Sequence, residues 1–377
     1  MKLIVISSLL LSGVYCLPFQ HWYPLKPQGV EHWPFERIYE NHPSNTLNRP
    51  VHTNKAGNIF DVLSGDKRFV EFMKIINGDE ELKNHLTNSD QKITLFAPIN
   101  KAFDKIPGGG DDDDDEPPPE ELRKLILYHT LVDPLDSDSL AKSHVLDTFL
   151  KLPDLNDRAQ VVRIGLHSKD LYVNHGKVIA KDIQASNGII HAVDQILLPP
   201  FPIFTELNMV PTIFSTFTSA IHLTNMGDDI RNAKGVTLFA PINKAWEKLG
   251  YQKLAYLFSP KGQSVLRSIL EYHISPNLEY TRDIFKDGKE VTLRIPTWNE
   301  AAEVEISGHL GKHRAKLQVN GETKVLFTDV LARNGVAHII DQVLVPPKNN
   351  PKYTLVNEFL NAMEDDFDIA EFEPFHY

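Results

Sequence analysis

The sequence predicts an α+β fold built twice in tandem, and three observations carry that prediction. A ten-residue stretch starting at Thr94 (Thr-Leu-Phe-Ala-Pro-Ile-Asn-Lys-Ala-Phe) recurs from Thr237, changed only at its last residue, Trp246. Leu125 to His129 (LILYH) recurs as Ile269 to His273 (ILEYH), and the segment from Asn187 to Gln195 recurs from Asn334 to Gln342. The offsets are 143 (94 to 237), 144 (125 to 269) and 147 (187 to 334) residues. Ordered matches at a nearly constant, domain-sized offset mark a duplicated domain and not a solenoid of short repeats. A chain of 377 residues also has the length of about two cores.

Each element has a local cause. Ile93 to Phe96 is a short apolar, β-prone run that Ala-Pro-Ile-Asn then breaks. Asn100 stands where it can N-cap the helix carrying Ala102 and Phe103. Glu120 to His129 has helical spacing, with Leu122, Leu125, Ile126 and His129 on one side. Gln160 to Val193 is rich in short β-prone runs separated by turns such as Asn174-His175-Gly176. Gly188 to Leu198 reads as a buried strand stopped by Pro199-Pro200. Each repeat therefore reads as helices first and strands after. Pro199-Pro200-Phe201-Pro202 makes a short, stiff junction that is expected to couple the repeats closely. Gly108 to Pro119, with its run from Asp111 to Asp115, is absent from the second repeat and reads as a solvated low-complexity loop.

The ends and the charge narrow the function. Lys2 followed by the apolar run Leu3 to Val14 and a cleavage site after Cys16 has the pattern of a signal peptide over residues 1–16. That run is too short to cross a bilayer, which takes roughly 20 residues. Cys16 is the only cysteine, so the mature chain is expected to carry no thiol and no disulfide. A formal charge of −11 disfavours nucleic acid and anionic lipid as partners. The acidic, aromatic C-terminus does not fit a GPI signal, and no Asn-X-Ser/Thr sequon occurs, so neither a GPI anchor nor N-glycosylation is expected.

The Thr-Leu-Phe-Ala-Pro-Ile-Asn-Lys-Ala-aromatic stretch resembles the first box of fasciclin-like (FAS1) domains. Gly188-Ile189-Ile190-His191-Ala192-Val193-Asp194 resembles the second, with the Tyr-His pair between them. The resemblance covers roughly Gly57 to Pro347 and is similar in arrangement to fungal secreted or vacuolar proteins with two FAS1 repeats. It implies two tandem FAS1 domains, each a β-sandwich-like strand wedge with several packed helices. The implied boundaries are an N-terminal extension over 17–55, domains over 56–200 and 201–347, and a C-terminal tail over 348–377. It also implies adhesion, because the Tyr-His region is implicated in integrin-type contacts in that family.

The candidate interaction or structural residues are Tyr128, His129, Tyr272, His273, His191, Asp194, His338 and Asp341. A His-X-X-Asp pair suggests acid–base chemistry, but residues three apart on a strand point to opposite faces. Recurrence in both repeats suits a fold determinant better than an active site. An unbroken aspartate run lacks the spacing of a calcium loop. No nucleotide loop, hydrolase elbow, HExxH helix or zinc spacing occurs, so no catalytic residue, metal or cofactor is expected. Residues 20–43, dense in Trp, Pro and His, and the tail stripe Leu355, Val356, Phe359, Leu360 and Met363 are docking segments for the domains or for a partner. The expected function is non-enzymatic: adhesion, scaffolding or ligand binding, outside the cell or in a vacuole, toward a protein or a wall or matrix polysaccharide. The alternatives are an unrecognised hydrolase-type enzyme or a soluble vacuolar protein of unknown activity.

Overall fold

The computed structural model describes residues 57–104, 118–167, 169–286, 290–300, 302–310 and 315–346. The expected leader, the 17–55 extension, most of the acidic loop and the tail stripe lie outside these residues. The chain divides into two compact units, residues 1–201 and 202–377.

In the first unit the N-terminal helices are set by their caps. Helix α1 (Ile59–Ser64) opens on a capping box between Asn58 and Asp61. After a 3-10 turn, α2 (Val70–Asn77) buries Phe72, Met73, Ile75 and Ile76 along one side. The Asp79 carboxylate caps α3 (Glu80–Thr87) by accepting from the N–H groups of Glu81 and Leu82. All six residues of β1 (Ile93–Pro98) are buried, as in a strand covered on both faces. After α4 (Asn100–Phe103), α5 (Pro119–Tyr128) has proline at its start and Glu120 and Glu121 in its first turn, both favourable at a helix N-terminus. Then come β2 (Thr130–Leu131), α6 (Ser137–Leu140), β3 (Val145–Lys151), β4 (Ala159–His167), β5 (Asp170–Val173), β6 (Gly176–Ala185) and β7 (Gly188–Val193).

These seven strands pair in chain order around a closed barrel. Closure comes from the parallel pairing of β1 with β7, which runs from Ile93↔Gly188 to Pro98↔Val193; the other pairs are antiparallel. The first and second boxes of the repeat are thus neighbouring strands. Gly188 permits this approach: a Cβ there would lie 2.1 Å from the Ile93 carbonyl oxygen. Apolar side chains of α1, α2, α3, β1, α5 and β7 pack into one core.

The second unit repeats the plan with α7 (Ile203–Asn208), α8 (Pro211–Leu223), α9 (Gly227–Asn232), β8 (Val236–Pro241), α10 (Asn243–Glu247), α11 (Tyr251–Leu257), α12 (Gln263–Tyr272), β9 (Ile274–Ser275) and α13 (Thr281–Ile284). Strands β10 (Glu290–Pro296), β11 (Glu303–Leu310), β12 (Ala315–Val319), β13 (Thr323–Ala332) and β14 (Gly335–Ile340) follow. Its sheet order is β10-β11-β12-β13-β14-β8-β9, with β14 parallel to β8. Gly335 repeats the close approach, its added Cβ falling 2.2 Å from the Val236 carbonyl oxygen. Both units are α+β.

Four local expectations are corrected. The order is not helices first and strands after, because β1 and β8 precede α5 and α12 and join the sheet by pairing with the last strand. Asn100 does not cap α4: the cap position is Ile99, without a side-chain bond. The Asn100 amide instead joins α4 to α2, accepting from Glu71 N–H at 3.0 Å and donating to the Lys67 carbonyl at 2.9 Å. The strand after Gly188 ends at Val193; beyond it the Asp194 N–H donates to the Lys177 carbonyl at 3.1 Å while the Asp194 carboxylate accepts from Lys177 N–H at 2.8 Å. Pro119, placed by sequence in the acidic loop, begins α5.

Candidate functional site

The two Tyr-His pairs sit at the C-terminal ends of α5 and α12, where carbonyls lack helical partners. His129 Nδ1 lies 2.8 Å from the Leu125 carbonyl oxygen, and His129 Nε2 accepts from Leu197 N–H at 3.0 Å. His273 does the same with the Ile269 carbonyl at 2.8 Å and Leu344 N–H at 2.9 Å. One ring nitrogen donates and the other accepts, which is the neutral imidazole with its proton on Nδ1. Complete burial depresses both pKa values to about 4, against a smaller upward pull from the carbonyl partners.

The tyrosines are fixed with equal care. Tyr128 donates to the Val161 carbonyl at 3.0 Å and accepts from Asn174 Nδ2 at 2.9 Å. Tyr272 donates to the Glu303 carbonyl at 3.1 Å and accepts from Asn320 Nδ2 at 3.0 Å. Both asparagines hold left-handed backbone, with φ of 50° and 51°, a conformation asparagine tolerates better than other side chains with a Cβ. Their Oδ1 atoms accept from Arg163 N–H at 2.8 Å and Glu305 N–H at 3.0 Å.

His191 and His338 lie inside β7 and β14 and are fully buried. His191 Nε2 is 2.9 Å from the Leu135 carbonyl oxygen, and its Nδ1 accepts from Asp182 N–H at 3.3 Å. His338 repeats this with Glu279 at 3.0 Å and Asp329 at 3.4 Å. Desolvation pushes both pKa values down. Asp194 and Asp341 do not face these histidines; each carboxylate accepts from the N–H of a lysine on the neighbouring strand, Lys177 or Lys324, at 2.8 Å. The eight candidates therefore form no acid–base dyad. They are divided among separate junctions between backbone segments.

Sequence reasoning missed the partners in those junctions. Asn187 clasps α1 to the end of α3, accepting from Ile59 N–H at 2.8 Å and donating to the carbonyls of Leu86 and Asn88. Asn334 does the same with Ile203 N–H at 2.9 Å and the Ile230 carbonyl at 2.8 Å. Arg123 and Arg267 recur at one position of α5 and α12. Arg123 pairs with Asp79, whose carboxyl it holds below the usual range, and Arg267 with Asp229 and Glu271. Aligning the repeats between the boxes exposes Asn174/Asn320, Asp182/Asp329 and Arg123/Arg267, each recurring at an offset close to that of the boxes.

The second unit also has an open cleft of about 570 Å³ beside Tyr272, lined by Arg294, Ala302, Glu303, Glu305 and Val345. That volume lies within the range of ligand sites, about 300–1,000 Å³. No group of His, Cys, Asp and Glu suited to a metal ion occurs among the described residues, and no described helix is long and apolar enough to cross a membrane.

The profile of the Fasciclin domain family matches residues 67–199 and 212–346, more than half of the chain. The chain belongs to this family. Its two FAS1 domains account for the pairwise recurrence of every junction above. It is similar to "Aurofusarin biosynthesis cluster protein S" of Gibberella zeae, 24% identical over 343 residues, covering 82% of each chain. It is 28% identical over 267 residues to "Fasciclin-like arabinogalactan protein elcF" of Phaeosphaeria nodorum, covering 68% of this chain and 79% of that one. It is 26% identical over 275 residues to the rabbit (Oryctolagus cuniculus) "Transforming growth factor-beta-induced protein ig-h3", covering 73% of this chain but only 36% of that one.

Proposed function

We propose that this chain is a non-enzymatic protein of the secretory pathway whose FAS1 domains mediate adhesion, scaffolding or ligand binding through their surfaces. The partner is a protein or a wall or matrix polysaccharide. The observation that carries this reading is the inward use of the recurrent polar side chains. In both domains the tyrosines, histidines and aspartates of the boxes bond to their own backbone. A catalytic group needs a proton or lone pair directed at substrate; here those positions are spent on the fold. What a FAS1 domain offers a partner is then its outer surface. Similarity to a protein named "Fasciclin-like arabinogalactan protein elcF" supports an association with polysaccharide. Secretion itself is supported by the leader-like residues 1–16.

Retention of the purified full chain on immobilised wall polysaccharide and matrix protein tests the reading, with heat-unfolded chain as control. Retention of folded chain alone is expected. Turnover of a glycan, ester or peptide that His191→Ala abolishes without lowering the melting temperature would replace it with the hydrolase alternative.

A further inference from the structure

The cleft beside Tyr272 carries side chains that the fold does not require. The register of β10 and β11 sets Arg294 opposite Glu305. Arg294 directs Nε and Nη2 to the same oxygen, Oε2 of Glu305, at 3.1 and 3.0 Å. Nη1 of Arg294, Oε1 of Glu305 and the Glu303 carboxylate make no bond among the described residues. The first domain shows that this chemistry is optional. Its Tyr128–Asn174 corner has the same hydrogen bonds, yet Val161 stands where Glu303 stands and Arg163 where Glu305 stands. The residue opposite Arg163, in the place of Arg294, is Val145. Arg294 and Glu305 are 69% and 37% exposed, and a pair that open to water adds little stability.

The geometry points to a subsite in this cleft for a neutral, polyhydroxylated ligand, a sugar unit of a wall or matrix oligosaccharide. A guanidinium only donates hydrogen bonds and a carboxylate only accepts them, whereas a hydroxyl does both. Arg294 and Glu305 held side by side present a donor next to an acceptor, matching two vicinal hydroxyls. Glu303, two residues along β11 on the same outward face, adds a second acceptor. Ala302 and Val345 supply apolar wall for the C–H face of a ring. Two carboxylates against one guanidinium repel an anion. A simple cation gains little, because the carboxylates are exposed and one is already neutralised.

This inference rests on the surface-binding reading above, and the experiment separates the two. The full chain is titrated calorimetrically with laminarihexaose, cellohexaose, chitohexaose and mannohexaose, and with hexalysine. At least one neutral sugar is expected to bind, and Arg294→Ala and Glu305→Ala are each expected to weaken it tenfold or more. The double swap Arg294→Glu with Glu305→Arg keeps an ion pair and is expected to melt like wild type while losing the sugar. No binding of any neutral sugar, undiminished binding by the swap, or binding of hexalysine alone that Glu303→Gln removes would each overturn the subsite. Retention on whole wall and matrix material is measured in parallel. Equal retention of wild type and swap leaves the surface-binding reading standing without the subsite; sugar binding without retention does the reverse.

Discussion

The backbone N–H of Leu197 donates to Nε2 of His129 at 3.0 Å. This bond ties the segment that leaves β7 to the end of α5, and it exists only while the imidazole is neutral. Protonation puts a hydrogen on Nε2 and sets two donors against each other. His273 and Leu344 form the same latch in the second domain.

The latches make stability pH-dependent. Both folded pKa values are about 4, below the ordinary histidine value of about 6.5. Between those values the unfolded chain binds more protons than the folded one, so stability rises with pH. The contribution is fully present above pH of about 6.5 and is lost as pH falls toward 4. At 1.36 kcal/mol per unit it amounts to about 3 kcal/mol for each histidine. Thermal melts from pH 7 to 4 are expected to show a steep fall in melting temperature. His129→Gln with His273→Gln should flatten that slope, and an unchanged slope would disprove the assignment.

His191→Ala removes one acceptor and one donor from partly buried backbone partners and should destabilise the first domain by about 1–3 kcal/mol. His338→Ala should do the same to the second domain. Denaturant titration with a probe in each domain measures this. A wild-type midpoint combined with lost ligand binding would turn these residues into a surface site.

Gly188→Ala and Gly335→Ala place a methyl 2.1 and 2.2 Å from a strand carbonyl oxygen. The obstacle is backbone of the paired strand, so the parallel pair must open. A loss of about 3 kcal/mol or more is expected in each domain, at the upper end of overpacking costs. Gly165→Ala, which meets nothing within 4 Å, is the control and should unfold at almost the wild-type denaturant concentration.

Asn174 and Asn320 join two functions, a left-handed backbone and three side-chain or backbone bonds around a tyrosine. Replacing Asn174 with Gly keeps the backbone conformation and loses only the side-chain bonds, whereas Ala loses both. Asn174→Ala should therefore cost more than Asn174→Gly, by about 1 kcal/mol. Equal midpoints for the two variants would mean that the backbone conformation carries no strain.

The duplicated boxes, the α+β class and the family were legible in the sequence because they are written in contiguous residues. Periodicity, turn residues and the recurrence of Thr94 to Phe103 and Asn187 to Gln195 need no third dimension to be read. That His191 and His338 are candidate residues was legible too, since they recur at matched positions of the two repeats. Tertiary structure alone decided what those residues bond to. Asn100 stood at a helix start, yet Glu71 and Lys67, about thirty residues away, took its amide. Asp194 followed an apolar strand, yet its carboxylate, not its carbonyl, took the Lys177 N–H. The Arg294–Glu305 cleft depends on a cross-strand register that nothing in either strand announces. Local sequence states which groups need partners, and the folded chain determines which distant backbone groups come within hydrogen-bonding reach.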